Sequence, residues 1–189
     1  MEGSLPLLTP GQRAVLLAVA KEAICAEVQR SPLSVVPSFD PVLQAPGAAF
    51  VTLRRGPSLR GCIGYVHAVK PLVETVVQCA VSAATADPRF PPVTPVELPS
   101  LTVEISVLSP LAAVPDPGEI QVGTHGLLIS REGRQGLLLP QVATEFGWDR
   151  ETFLRHTCQK AGLPPDAWRH GAEIYSFTVD HFTDDRPLA

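Results

Sequence analysis

Apolar positions recur along the chain with two different periods, and the changes of period mark its elements. Leu16, Leu17, Ala20, Ile24 and Val28 fall at helical spacing and predict one buried helix face. Thr9-Pro10-Gly11-Gln12 opens that helix. The threonine suits a cap, the proline suits the first helical position, and Gln12 completes a capping box. From Ser31 to Gly47 the chain is rich in proline and has no period. No charge run or Gly/Ser tract marks it, so it predicts a wrapping loop rather than a linker between independent domains. Ala48 to Leu53 predicts a strand, Arg54-Arg55 with Gly56-Pro57 a turn, and Leu59 to Val66 a second strand, together a hairpin. Pro71 to Ala86 predicts a helix with Leu72, Val76, Ala80 and Ala83 along one face. It runs into Asp87-Pro88-Arg89-Phe90-Pro91-Pro92, which is irregular because proline cannot continue a helix.

In the second half, Leu101, Val103, Ile105 and Val107 alternate with Thr102, Glu104 and Ser106, the period of a half-buried strand. Leu127 to Ser130 and Gln135 to Leu139 flank a Glu132-Gly133 turn and predict a hairpin. A short helix follows around Gln141 to Phe146. A second, capped by Asp149, runs to Ala161 and stops at Gly162. Ile174 to Val179 closes the pattern as a strand. Hairpins separated by helices predict an α+β fold, with antiparallel or mixed sheets and flanking helices, rather than a parallel doubly wound one. The strand-helix-strand unit around 58–108 and the later hairpin-helix-strand read as two halves of a loose repeat.

Composition adds bounds. At 189 residues and 45% hydrophobic, the chain suits one large domain, or one domain with two lobes, here expected over residues 9–182. A net charge of −4 argues against a general nucleic-acid binder, which needs a basic face. Twelve arginines against three lysines favour planar, bidentate anion contacts. No run approaches the length of a membrane span and no signal peptide is evident, so a cytoplasmic location is expected. The four cysteines, Cys25, Cys62, Cys79 and Cys158, are isolated from one another and are expected as free thiols. No His-x-His or His-x-x-x-His spacing occurs, and no metal site is expected.

The chemistry concentrates in Leu59-Arg60-Gly61-Cys62-Ile63-Gly64, which sets a thiol, a guanidinium and two glycines within six residues. Strand alternation puts Arg60, Cys62 and Gly64 on one face, with Arg60 and Cys62 roughly 7 Å apart. A nearby guanidinium favours the thiolate, which makes Cys62 a candidate nucleophile or redox-sensitive group. The plainer reading makes Cys62 a small buried residue and Arg60 the partner of a carboxylate. Gly61 and Gly64 admit close approach of a ligand. Arg89, with Phe90 beside it, follows a thin alanine-rich helix and is either an anion contact or a counter-charge to that helix's C-terminus. Glu104 is either an exposed strand residue or, if its face lines a cleft, a partner of Arg60 or Arg89 or a general base. His125, between Gly123-Thr124 and Gly126, is the best base candidate of the five histidines, although a turn histidine bonding the backbone is the more frequent finding. Cys25, Cys79 and Cys158 lie within helices and read as core.

These segments resemble those of the AMMECR family, whose bacterial members include protein A of the AmmeMemoRadiSam set. The resemblance rests on Leu59-Arg-Gly-Cys-Ile-Gly, Ala83-Ala-Thr-Ala-Asp-Pro-Arg-Phe-Pro-Pro and Val103-Glu-Ile-Ser-Val-Leu. It continues through Gly123-Thr-His-Gly-Leu, Leu139-Pro-Gln-Val-Ala, Gly147-Trp-Asp and Lys160-Ala-Gly-Leu, spanning about residues 10–180. At Tyr65 the chain departs from the family, which often has threonine there. The resemblance implies an α+β fold of two lobes with a cleft beside the hexapeptide. It also implies association with a Memo-like protein and a radical-SAM protein, and no settled activity or cofactor.

Two functions follow as expectations. The first is an enzyme or enzyme subunit whose cleft, lined by Arg60, Cys62, Arg89, Glu104 and His125, binds a small anionic or nucleotide-like molecule. The second is a non-catalytic module that docks the Memo-like or radical-SAM partner, or a second copy of itself as a homodimer.

Overall fold

The computed structural model describes residues 8–33 and 40–188. Its helices are α1 (Pro10–Gln29), α2 (Pro41–Gln44), α3 (Leu72–Thr85), α4 (Pro140–Glu145) and α5 (Arg150–Lys160). Its strands are β1 (Ala48–Arg55), β2 (Ser58–Tyr65), β3 (Thr102–Leu108), β4 (Ala112–Ala113), β5 (Gly126–Arg131), β6 (Arg134–Leu138), β7 (Glu173–Phe177) and β8 (Val179–Asp184). The fold is α+β, with two four-stranded sheets flanked by helices.

The chain divides into two compact units. One spans residues 109–179, and the other is built from the chain on either side of it. Strand order is β2-β1-β3-β8 in the first sheet and β4-β7-β5-β6 in the second. The 109–179 unit is therefore an insertion between β3 and β8, which are neighbours in one sheet. Its two ends are tied to each other: the Ser109 N–H donates to the Thr178 carbonyl, and the Thr178 N–H donates to the Ser109 Oγ, both at 2.9 Å. The loose repeat is visible as strand order. Each sheet reads outward hairpin strand, first hairpin strand, strand after the helices, then an added fourth strand.

Local chemistry explains the elements. α1 starts where Thr9 Oγ1 accepts the Gln12 N–H while Gln12 Oε1 accepts the Thr9 N–H. It ends at Arg30, which takes a left-handed conformation with φ 55°. The buried face of α1 is Leu16, Val19, Ala20, Ala23, Ile24 and Ala26. Leu17 and Val28, expected on it, are half-buried, because the stripe runs through Val19 and Ala23 instead. α3 buries Leu72, Val76, Cys79, Ala80, Ala83 and Ala84 and packs on α1, β1 and β2. In the inserted unit α5 packs on β5 and β6, and Phe153, Leu154, Cys158, Ile129 and Ile174 share one core. Glu132 and Gly133 turn the β5–β6 hairpin with φ 52° and 77°, the positive values a two-residue turn of this kind requires.

Several expectations need correction. Arg54 and Arg55 belong to β1, and the turn is Gly56-Pro57 alone, with Gly56 at φ 54°. The proline-rich stretch holds the short helix α2, capped by Asp40, whose carboxylate accepts the Val42 N–H at 2.8 Å. Residues 34–39 of that stretch lie outside the described residues. The closing strand is two strands: β7 ends at Phe177, and β8 opens at Val179 in the other sheet. The bridge-length strand β4 and the 3-10 turn Pro95–Ser100 carry no period in the sequence. Cys25 is half-buried rather than core, while Cys79 and Cys158 are buried.

Candidate functional site

The hexapeptide lies on β2, an edge strand, and a bulge decides what it presents. Leu53 pairs with Gly61 and Arg54 with Leu59, so Arg60 is the extra residue. Past the bulge the pairing is regular: Thr52 opposes Cys62, and Phe50 opposes Gly64. Arg60 is thereby taken out of the simple alternation that set it beside Cys62. Gly61 faces α3 so closely that a Cβ there would collide with the Ala83 carbonyl oxygen. Gly64 lies under the Phe50 ring, where a Cβ would also collide. Both glycines are thus required by packing within the fold.

Gly61 has a counterpart in the inserted unit. Gly136 of β6 occupies the same place in its sheet, and a Cβ on it would strike the backbone of Lys160 and Ala161 at the end of α5. The glycine lets a helix end cross an outer strand in both sheets.

The outer edge of β2 is closed at Cys62 by side chains. The Cys62 N–H donates to Asp87 Oδ2 at 2.8 Å, and Arg89 Nη2 donates to the Cys62 carbonyl at 3.2 Å. Asp87 and Arg89 are themselves clamped, with Nε to Oδ1 at 2.9 Å and Nη2 to Oδ2 at 2.6 Å. Together they imitate a neighbouring strand for one residue. The Asp87 side chain is only 2% exposed, whereas that of Arg89 is 54% exposed. The Arg89 hydrogen bonds, with the backbone amides of Cys62 and Arg89, hold the Asp87 carboxyl well below its usual range against the opposing effect of burial. Asp87 in turn raises the Arg89 pKa, and the Cys62 side chain adds to that rise.

Arg60 points to a different carboxylate. Its Nε and Nη2 donate to Glu97 at 3.0 and 3.2 Å, and Arg55 pairs with the same group. Glu97 also accepts the Thr94 N–H and hydroxyl at 2.8 and 2.9 Å. Its pKa is lowered to about 2, first by Arg60 and then by Thr94. Phe90 lies between the two arginines, its ring centroid 5.8 Å from the Arg60 guanidinium and 5.6 Å from that of Arg89. Arg60 is buried, and its Nη1 has no hydrogen-bond partner.

On the sheet face away from α3, cross-strand register sets up a row: Cys62 on β2, Thr52 on β1, Glu104 on β3. The Thr52 hydroxyl donates to Cys62 Sγ at 3.2 Å. Glu104 is held by Arg54 Nε at 2.7 Å. The next row holds Gly64, Phe50 and Ser106, and Ser106 Oγ lies 3.1 Å from Nδ1 of His181 on β8. In the inserted sheet the positions equivalent to Cys62, Thr52 and Glu104 are Leu137, Leu128 and Tyr175. The same framework thus carries two leucines and a tyrosine in one sheet, and a thiol, a hydroxyl and a carboxylate in the other.

The structure therefore groups Cys62, Arg89 and Phe90 with Asp87, and sets Glu104 on the face of Cys62 with Thr52 between them. The carboxylate of Arg60 is Glu97, and that of Arg89 is Asp87; Glu104 serves Arg54. His125 belongs to the inserted unit, where its Nδ1 accepts the Gln121 N–H at 3.2 Å. Thr52, Arg54, Asp87, Glu97, Ser106 and His181 were not among the candidates. Glu97 had a readable signal, since Thr94-x-x-Glu97 is a capping-box spacing. Thr52, Arg54, Ser106 and His181 follow only from how the strands pair, and Asp87 from where the end of α3 meets β2. Among the described residues no group of three or more His, Cys, Asp or Glu is placed to hold a metal ion, and no helix is long and apolar enough to cross a membrane.

The sequence profile of the AMMECR1 family matches residues 17–182. The chain belongs to the AMMECR1 family. A relative in Thermococcus gammatolerans is 45% identical over 185 residues, covering 91% of this chain and 90% of the relative. One in Methanothermobacter thermautotrophicus is 50% identical over 147 residues, covering 72% and 74%. The crystal structure of the uncharacterised protein PH0010 from Pyrococcus horikoshii matches with a TM-score of 0.83 at 40% identity, over 91% of both chains. These names carry no activity, so the reading of function rests on the chemistry of the AMMECR1 chain itself.

Proposed function

We propose that the outer face of the first sheet, at its β2 edge, binds a small anionic or nucleotide-like molecule beside the Cys62 thiol. The observation that carries this reading is the row Cys62–Thr52–Glu104, a thiol, a hydroxyl and a carboxylate where the equivalent sheet has Leu137, Leu128 and Tyr175. A row serving only to pack would be free to be apolar. Each residue then has a task. The Thr52 hydroxyl donates to Sγ and holds the sulfur on this face. Around the site four guanidinium groups, Arg54, Arg55, Arg60 and Arg89, face three carboxylates, Asp87, Glu97 and Glu104. The one positive charge left over arises at Glu97, which Arg55 and Arg60 share, while Arg89, paired with Asp87, is the most exposed of the four side chains. Arg89 would meet the anion. Glu104, fixed by Arg54, would orient or hydrogen-bond the bound molecule.

Competitive alkylation tests this without knowledge of the ligand. Cys62 is expected to react before Cys25, whose pKa is raised by burial and then by Glu22. Anionic iodoacetate should be favoured at Cys62 relative to neutral iodoacetamide, and Arg89→Gln should remove that preference. Equal rates at Cys62 and Cys25, with no preference between reagents, would reject the reading.

A second reading is favoured by the ion pairs themselves. Arg54, Arg60 and Arg89 each already hold a carboxylate, which fits a preformed docking surface as well as a binding pocket. In that case the docked protein is of the Memo-like or radical-SAM class. Pull-down of purified candidates with Arg89→Glu protein should then lose the complex, and unchanged capture would count against it.

A further inference from the structure

The Asp87–Arg89 clamp closes the β2 edge at one residue and leaves the next outward-facing one open. Backbone groups along an antiparallel edge point outward at every second residue. Those of Cys62 are met by Asp87 and Arg89. The register between Cys62 and Gly64 is regular, so the Gly64 N–H and C=O also point away from β1. Among the described residues nothing meets them.

Two further observations converge on this edge. Among the described residues, Leu59, Tyr65 at 47% and Val69 at 78% are exposed large apolar side chains on β2 or just after it in the chain. Tyr65 follows the open Gly64 directly and puts exposed apolar area beside its unpaired backbone groups. The second observation is charge. From Ile63 to Pro71 the chain carries His67 and Lys70 and no carboxylate, while Arg60 is buried against Glu97 and does not contribute. The half-exposed Arg89 adds a cation at the Cys62 end.

We propose that the free edge of β2 at Gly64–Tyr65 docks an extended acidic segment of a partner protein as an added strand. The Gly64 amide and carbonyl supply the main-chain pairing, and the exposed Tyr65 ring receives an apolar side chain of the added strand. Arg89 and Lys70 select negative charge at the two ends. The inference builds on the docking reading and is independent of the reactivity of Cys62.

The test uses the full chain and four synthetic probes: acetyl-Glu-Val-Thr-Val-Glu-amide, the same peptide N-methylated along one edge, the same peptide N-methylated along the other, and a form with lysine in place of both glutamates. With the plain peptide at saturation, hydrogen exchange of the Gly64 amide should slow about tenfold or more while amides of the inserted unit are unchanged. Methylation along the pairing edge should abolish binding, and methylation along the other should not. Replacing both glutamates by lysine should weaken binding about tenfold, and Lys70→Glu in the protein should weaken the acidic peptide several-fold. Unprotected Gly64 at millimolar peptide, or equal binding of the plain peptide and both methylated forms, would overturn the proposal. Cys62 alkylation rates from the same preparation report on the thiol reading separately, so either can fail alone.

Discussion

Asp87 offers the sharpest test of how this region is held. Its carboxylate is almost wholly buried and accepts from the Cys62 N–H at 2.8 Å, the Arg89 N–H at 3.0 Å and the Arg89 guanidinium at 2.9 and 2.6 Å. Asp87→Ala leaves the Cys62 amide without an acceptor at a covered edge, which costs about 1–3 kcal/mol. The lost bonds to Arg89 add less, about 0–1 kcal/mol, because more than half of that side chain is in water and is rehydrated. The expected total is about 1–4 kcal/mol. Asp87→Asn keeps one acceptor oxygen and should cost about half as much. In urea, with a slope of about 2 kcal/mol/M, the alanine variant should unfold at a midpoint lower by about 0.5–2 M, with the slope unchanged. The folded-state pKa of Asp87 is depressed. Its contribution is therefore full above the unfolded value of about 3.9 and declines as pH falls from there towards the depressed folded value. Wild type should lose stability through that acid window more steeply than Asp87→Asn. A midpoint shift under about 0.3 M for Asp87→Ala, or identical acid profiles for wild type and Asp87→Asn, would show that the clamp does not hold the edge.

Glu97→Ala strands the buried Arg60 guanidinium and should cost about 3–5 kcal/mol, read as a urea midpoint. Since the Glu97 pKa is lowered to about 2, its contribution should be present above the unfolded value of about 4.3 and fade as pH falls to about 2, a dependence that Glu97→Gln should lack. Gly61→Ala and Gly136→Ala each force a Cβ into helix backbone and should each cost about 1–3 kcal/mol or more in thermal melts, whereas Gly56→Ala meets no atom and strains only its positive φ. Cys79, with its pKa pushed up to about 12 chiefly by burial, should stay unlabelled by iodoacetamide at pH 8 in the native protein and label fully in urea, as mass spectrometry of the cysteine peptides would show.

Much of the fold was legible because local chemistry announces it. The Thr9 capping box, the stop at Asp87-Pro88, the Glu132-Gly133 turn and the Asp149 cap each act within a few residues, and each element begins or ends where they lie. The break at Thr178 was not legible. Ile174 to Val179 alternates without interruption, and period alone does not reveal that the chain changes sheets there. The candidate site was legible as a segment and not as a geometry. Leu59 to Gly64 and Asp87 to Phe90 do meet, as the two sequence motifs suggested. Their pairing with Thr52, Glu97 and Glu104 depends on the Arg60 bulge, which no local signal marks.

The sequence by itself determined where helices start, where hairpins turn, which strand faces are apolar, and that thiol, guanidinium and glycine share one strand. Those properties rest on interactions spanning two to four residues, so they are written in the order of the chain. Only the tertiary structure decided that Gly61 and Gly64 yield space to Ala83 and Phe50, that each arginine near the site has a carboxylate, and that Cys62, Thr52 and Glu104 form one row. The physical reason is register: one extra residue at Arg60 changes which side chains can meet, and register is settled by the packing of whole strands against α3 rather than by any neighbour in sequence.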